Sequence, residues 1–316
     1  MKRYAAIDIG SQTIRLLISD CDADVLYPLE RDREIVHLGS GMQADALLLP
    51  DRIEQAAACI KRFCEYARSR DVQEIRSVAT ASVRQAQNCQ DFIARVSRAS
   101  GIVPEIINEQ QEAELSRAGV QAIMPTNADE TVIIDIGGGS TEFSFLNSGC
   151  FKNSFSLPLG VIKPAEDFLH TDPPTKNQIE NLRSWAGSMI ASHTAHLPLP
   201  ESETAPVIIV TAGTATTLAA MDLKLQDYVP ARINGYVLSL RAINSLLDTM
   251  LKLPLTQRAK MPGLEPGRAE VILPGALIMQ LLLHYFGCDN CTVSDAGLLE
   301  GIVIHHAALK KIIEKT

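Results

Sequence analysis

The chain reads as an α/β protein made of two related domains. A strand-turn motif occurs twice, as Ala6-Ile7-Asp8-Ile9-Gly10-Ser11 and as Ile134-Asp135-Ile136-Gly137-Gly138-Gly139-Ser140-Thr141, with the aspartates 127 positions apart. In each copy an apolar, β-branched run ends in Asp, then Gly, then a hydroxyl residue. Such a run is a buried strand, and its glycines mark a turn where backbone meets ligand. Each copy opens a three-strand run, and helices then alternate with strands, twice over.

The elements follow in order. Residues 4–9, 14–19 and 33–38 form the first three strands. A helix from 49–50 to about 70 follows, with Asp51 expected as its N-cap. Next come a strand at 75–80, a helix at 91–100 closed by Gly101, a strand at 102–107 and a helix at 109–123 stopped by Pro125. The polar stretch 125–130 is the expected boundary between domains 1–124 and 125–298. Strands at 131–136, 142–146 and 151–157 repeat the opening. A helix at 175–196, a strand at 207–211 and a helix at 213–223 come next. The remainder is expected to be helical at 237–253, 268–286 and 298–313, with a short strand at 291–294.

The 316 residues are 46% hydrophobic, enough to build sizeable cores and to exclude global disorder. No apolar run is long enough to span a bilayer, so no membrane partner is expected. Met1-Lys2-Arg3-Tyr4 leads directly into a strand without a signal-peptide pattern, which points to the cytoplasm. A net charge of −8 argues against nucleic-acid binding, which needs a basic stripe. Seven scattered cysteines make no disulfide framework, and the lone Cys288-Asp289-Asn290-Cys291 reads as a loop entering a buried strand. No G-x-S-x-G, P-loop or HExxH motif is present.

The segment from Asp135 to Glu142 carries the strongest chemical signal. Three consecutive glycines cost backbone entropy and mark a tight turn or close backbone approach. In a hairpin, Asp135 and Glu142 can converge on one Mg²⁺ whose other ligands are phosphate oxygens and water. The alternative is a plain Gly-rich hairpin, and the partner motif at Asp8 counts against it. In Gly10-Ser11-Gln12-Thr13, Ser11 and Thr13 either donate to phosphate or cap the turn. Thr211-Ala212-Gly213-Thr214 follows a strand and opens a helix, a generic anion site that also suits helix–sheet packing. Arg84 either reaches a phosphate or is a solvated surface residue. The acids of Glu109-Gln110-Gln111-Glu112-Ala113-Glu114 complement a helix dipole or supply a general base, and spacing does not choose between these.

Together these blocks resemble the exopolyphosphatase / guanosine pentaphosphate phosphohydrolase family, within the actin, sugar-kinase and heat-shock ATPase superfamily. The resemblance extends over residues 6–11, 80–88, 106–115, 132–143, 156–160, 213–220, 234–236, 261–264 and 293–301 in order. It implies two actin-like, ribonuclease H-like domains with an interdomain cleft, and a last helix, about 299–316, packing back on the first domain. It implies Mg²⁺ as cofactor and hydrolysis of a terminal phosphoanhydride of polyphosphate or guanosine pentaphosphate. The catalytic group falls on Glu112, assisted by Asp135 and Glu142, and the metal-linked acids on Asp8, Asp135 and Glu142. The phosphate contacts fall on Gly10, Ser11, Arg84, Gly137, Gly138, Gly139, Ser140, Thr141, Gly213 and Thr214. A homodimer of the short, two-domain form is the expected assembly. The chain departs from the family pattern at Gln12, Gln111, Glu114 and Leu299; the last two stand where arginine is common. Lys163, Arg183, Arg232, Arg258 and Arg268 are the candidate compensating cations. The alternatives are a catalytically weak polyphosphate- or nucleotide-binding regulator and a phosphotransferase on the same scaffold.

Overall fold

The computed structural model describes residues 1–22, 25–42, 46–194, 205–265 and 267–313. Two compact units divide the chain: Met1–Ile123 with Ala296–Thr316, and Met124–Asp295.

The first unit opens with an antiparallel meander of β1 (Lys2–Ile9), β2 (Thr13–Asp22) and β3 (Val25–Ile35). β4 (Glu74–Ala79) and β5 (Glu105–Ile106) add in parallel beyond β1, giving the order β3-β2-β1-β4-β5. The intervening helices are α1 (Pro50–Arg68), α2 (Ala81–Gln85), α3 (Cys89–Ser100) and α4 (Glu109–Ile123). Strand alternation divides the core between two faces. Ala5, Ile7 and Ile9 of β1 join the buried cluster that includes Ile60, Phe63 and Phe92, whereas Tyr4 and Ala6 join the cluster that includes Leu115. Asp8 belongs to the second face by the same alternation.

The second unit repeats the plan. β6 (Glu130–Ile136), β7 (Thr141–Asn147) and β8 (Cys150–Leu157) form the meander. α5 (Ile162–Phe168) and α6 (Lys176–Thr194) precede β9 (Val207–Thr211), which pairs in parallel with β6. α7 (Ala212–Asp222), α8 (Pro230–Ile233), β10 (Tyr236–Ser239), α9 (Leu240–Met250), α10 (Leu255–Arg258), α11 (Ile272–Tyr285) and β11 (Asn290–Val293) complete it. The order is β10-β11-β9-β6-β7-β8, the first unit's topology plus one antiparallel edge strand.

Several expectations need correction. The third strand runs over β3, not 33–38, because residues 36–39 leave the sheet to bond the β1–β2 turn. The helix expected at 237–253 is β10 followed by α9: Ser239 ends the strand and caps the helix, its hydroxyl accepting from the amide of Ala242. Leu49 rather than Asp51 is the N-cap of α1, because Pro50 takes the first helical position and leaves Asp51 in the first turn. Only two residues of 102–107 pair as β5. α11 begins at Ile272 rather than 268. α2, α5, α8 and α10 were too short to give a periodic signal. Residues 195–196 of the expected 175–196 helix lie outside the described residues.

α12 (Leu298–Ile313) packs in the first unit, where Leu298, Leu299, Ile302, Val303 and Ala307 join Tyr4, Leu17 and Leu115. It meets α4 through glycine. A methyl group on Gly119 would lie 1.9 Å from the carbonyl oxygen of Gly297, and one on Gly301 would lie 1.8 Å from that of Leu115. Buried Glu300 fixes the start of α12, accepting from the amide of Gly297 at 2.7 Å and forming an ion pair with Arg31 at 2.6 Å. Gly301→Ala is therefore expected to force α4 and α12 apart and to cost about 3 kcal/mol in denaturant melts. A stability change within 0.5 kcal/mol, on the order of a surface substitution, would show that the crossing tolerates a side chain.

Candidate functional site

In the second unit, Asp135 and Glu142 are directly opposed across the β6–β7 hairpin. Opposed residues in an antiparallel pair project from the same face with neighbouring Cβ atoms. The row extends to Ser156 on β8 and Thr211 on β9. Glu142 is buried, and its Oε1 accepts from the Ser156 hydroxyl at 3.1 Å.

The glycine turn between the two acids has a directional backbone. The amide of Val161 donates to the carbonyl of Gly137 at 3.2 Å, and that of Ile162 to the carbonyl of Gly138 at 3.0 Å. Because each peptide is planar and trans, the N–H groups of Gly138 and Gly139 point away from residues 161–162. Two adjacent amides aimed the same way form an anion-binding concavity. Gly160 makes this possible: a methyl there would sit 2.2 Å from the carbonyl oxygen of Gly138. Thr141 contributes differently from expectation. Its hydroxyl donates to the carbonyl of Leu159 at 2.6 Å, which ties the turn to the clamp.

The first unit carries the same device. The amide of Gly10 donates to the carbonyl of Thr13, as that of Gly137 does to Ser140. The carbonyl of Ser11 accepts from the amide of Gly39, and that of Gln12 from Val36 and His37. The N–H groups of Gln12 and Thr13 therefore point away from residues 36–39. The buried hydroxyls of Ser11 and Ser82 have no hydrogen-bond partner among the described residues. Such groups are costly unless they meet a ligand or water. A methyl on Gly39 would come within 3.0 Å of the Ser11 Cβ and 3.2 Å of the Ser82 Cβ. Ser82 and Gly39 were missed from sequence; the only available signal was a small residue beside each motif. The cross-strand partner of Asp8 is Arg15, not a second carboxylate.

Glu112 is buried in the first turn of α4. Asn108 and Gln111 cap this helix reciprocally: the amide of Gln111 donates to Asn108 Oδ1 at 2.8 Å and the amide of Asn108 to Gln111 Oε1 at 2.9 Å. Arg84 at the end of α2 donates through Nη1 to Glu112 Oε2 at 2.8 Å and to the carbonyl of Ile107 at 3.0 Å, with Nη2 lying 3.7 Å from Glu109 Oε1. Arg84 is thus engaged with Glu112 rather than solvated.

The third loop divides. Gly213 packs under the guanidinium of buried Arg268, whose Nη1 would be 2.3 Å from a methyl on that glycine. Arg268 is oriented by Glu265, accepting from Nε at 2.6 Å. The Thr214 side chain instead lies against Gly275 of α11. Of the other cations considered, Arg183 donates to Gln280 and buried Arg258 to the carbonyls of Ala269 and Leu253. Cys288 and Cys291 are buried free thiols, and burial pushes Cys291 up to about 12, so neither suits redox work.

Residues 17–310 match the Ppx/GppA phosphatase family model. The chain belongs to the Ppx/GppA phosphatase family. It is 30% identical over 317 residues to exopolyphosphatase 2 of Mycobacterium tuberculosis, covering 96% of this chain and 98% of that one. Among solved structures, the Aquifex aeolicus Ppx/GppA family member is 30% identical, with 98% of each chain covered and a TM-score of 0.80. An exopolyphosphatase from Cytophaga hutchinsonii is 25% identical, with 96% of each covered and a TM-score of 0.87. The two-sheet architecture is the two-domain actin-like fold of this family, and the chain is by class a phosphoanhydride hydrolase. Its departures from the Ppx/GppA pattern have local reasons where the structure gives one. Gln12 bonds the ring of His37 at 2.9 Å, Gln111 completes the α4 cap, and Leu299 fills an apolar cluster. Glu114 is exposed on α4, where its charge acts on Arg117 and His305.

Gly160→Ala should displace the Gly138–Gly139 peptide and weaken phosphate affinity by about tenfold or more, since loss of a charge-assisted hydrogen bond costs about 1.5–3 kcal/mol. Calorimetric titration with tripolyphosphate checks this. Gly187→Ala, where a methyl meets nothing within 4 Å, is the control and should bind normally.

Proposed function

We propose that this Ppx/GppA protein releases terminal orthophosphate from inorganic polyphosphate, with Glu112 as general base. The observation that carries the reading is the direct opposition of Asp135 and Glu142 beside two outward-facing glycine amides. The orphaned Ser11 and Ser82 hydroxyls and the buried carboxylate of Glu112 support it. So do the exopolyphosphatase relatives.

The residues fit Mg²⁺. Among the described residues no three His, Cys, Asp or Glu side chains converge as a cage. Mg²⁺ needs none, because it commonly binds through one or two carboxylates and substrate phosphates. Asp135 and Glu142 would hold it, and Asp8 with Arg15 opposite is the weaker candidate. When bound, the ion neutralises charge on the phosphoryl oxygens. The Gly138 and Gly139 amides hold phosphate oxygens, and Glu112 orients a water and takes its proton as the oxygen attacks the terminal phosphorus. The terminal phosphoanhydride P–O bond breaks, leaving orthophosphate and a chain one unit shorter.

Phosphate release should be measured on polyphosphates of several lengths and on guanosine pentaphosphate, with and without Mg²⁺. Mg²⁺-dependent release from polyphosphate is the expected result. Glu112→Gln should lower kcat by about 10³-fold, the scale of a general base, with an unchanged melting temperature. Asp135→Asn should abolish Mn²⁺ binding followed by electron paramagnetic resonance. Exclusive release from guanosine pentaphosphate would change the substrate, and tight polyphosphate binding without release would make the protein a regulator. Near-normal release by Glu112→Gln would remove that residue from the role of base.

A further inference from the structure

The family motif casts Arg84 as a phosphate contact. We infer instead that Arg84 is a positioning residue that acts through Glu112. The inference rests on the proposed role of Glu112 as base.

One nitrogen of the guanidinium joins two elements. Nη1 donates both to Glu112 Oε2 and to the carbonyl of Ile107, the last residue before the α4 cap. The side chain thereby fixes the carboxylate relative to the strand-to-helix junction that carries it. Nη2 makes no hydrogen bond and lies 3.7 Å from Glu109 Oε1, so the fork is bracketed by two acids one helical turn apart. A guanidinium so flanked is largely neutralised before any polyanion arrives, which suits it poorly to gripping one. It is well suited to holding one carboxylate rotamer, because its planar geometry is pre-organised. Other charged groups around α4 have partners of their own. Arg117 donates to Gln121, Glu300 of α12 is held by Arg31 and the Gly297 amide, and His305 of α12 bonds Arg76. Arg84 is the cation that donates to Glu112, and Glu109 lies on its other side.

The test separates orientation from phosphate binding. Arg84→Gln should lower kcat by about 100-fold, the cost of misplacing a catalytic group by about 1 Å, while KM for polyphosphate stays unchanged. The acid limb of its kcat profile should move to higher pH, because a positive neighbour of the carboxylate has been removed. Arg84→Lys, which keeps the charge but not the fork, should restore the acid limb and only part of kcat. In a Glu112→Gln background, Arg84→Gln should cost nothing further in residual turnover and leave polyphosphate affinity intact by calorimetry, since residues acting as one unit are non-additive. The Lys variant and this affinity measurement stand even if Arg84→Gln folds poorly. A raised KM, a steeper salt dependence and lost affinity in the double variant would overturn the inference and return Arg84 to the phosphate. Absence of phosphate release by the wild-type protein is a different failure, that of the hydrolase reading itself.

Discussion

Contact of backbone with backbone, without an intervening side chain, is the constraint on which both hairpin turns and the α4–α12 crossing depend. Gly160 lets residues 159–162 rest on the Gly138–Gly139 peptide, which occupies two carbonyls and turns two amides outward. Gly39 does the equivalent for the first hairpin through the carbonyl of Ser11. Gly119 and Gly301 let α12 lie against α4, the helix that presents Glu112. A Cβ at Gly160, Gly119 or Gly301 would overlap a peptide rather than the end of a flexible side chain, so relief would require moving a helix or a turn. Glycine's low conformational preference is usually a cost; here it is the only residue that permits the distances.

The two units share a topology and differ in charge at equivalent places. Across the second sheet the row reads Ser156, Glu142, Asp135, Thr211; across the first it reads Arg33, Arg15, Asp8, Val78. The hairpin turns are equal in length and closed by the same amide-to-carbonyl bond, so Arg15 and Glu142 occupy corresponding positions. One row is doubly acidic and suits a divalent cation. The other carries its own cations and suits an anion directly. The duplicated scaffold thus carries different charge at matching positions of its two units.

Much of this was legible in sequence because the duplicated motif combines a period-two apolar strand with glycine, and both signals are local. The two three-strand runs and the opposition of Asp135 to Glu142 followed from that pattern. What escaped were features fixed by tertiary pairing. Tyr236–Ser239 continues into a helical pattern, yet pairs with β11 because a strand edge was available there. The short α2 and α5 have too few residues to show a period. Thr214 carries the composition of a phosphate loop, and its side chain also packs against Gly275, a contact that no local rule predicts. The bond from Arg84 to Glu112 spans 28 positions and leaves no mark in either segment alone.

The loss of an arginine at Leu299 follows from where that residue sits. Its side chain lies among Leu17, Leu115, Ile302 and Val303, on the face where α12 meets β1 and α4. Burying a leucine there contributes about 1.5–3 kcal/mol to holding the two helices together. A guanidinium in the same surroundings would need a buried partner, and the nearby acid Glu300 is already bonded to Arg31 and to the Gly297 amide. The cationic position has therefore become part of the helix contact that steadies α4.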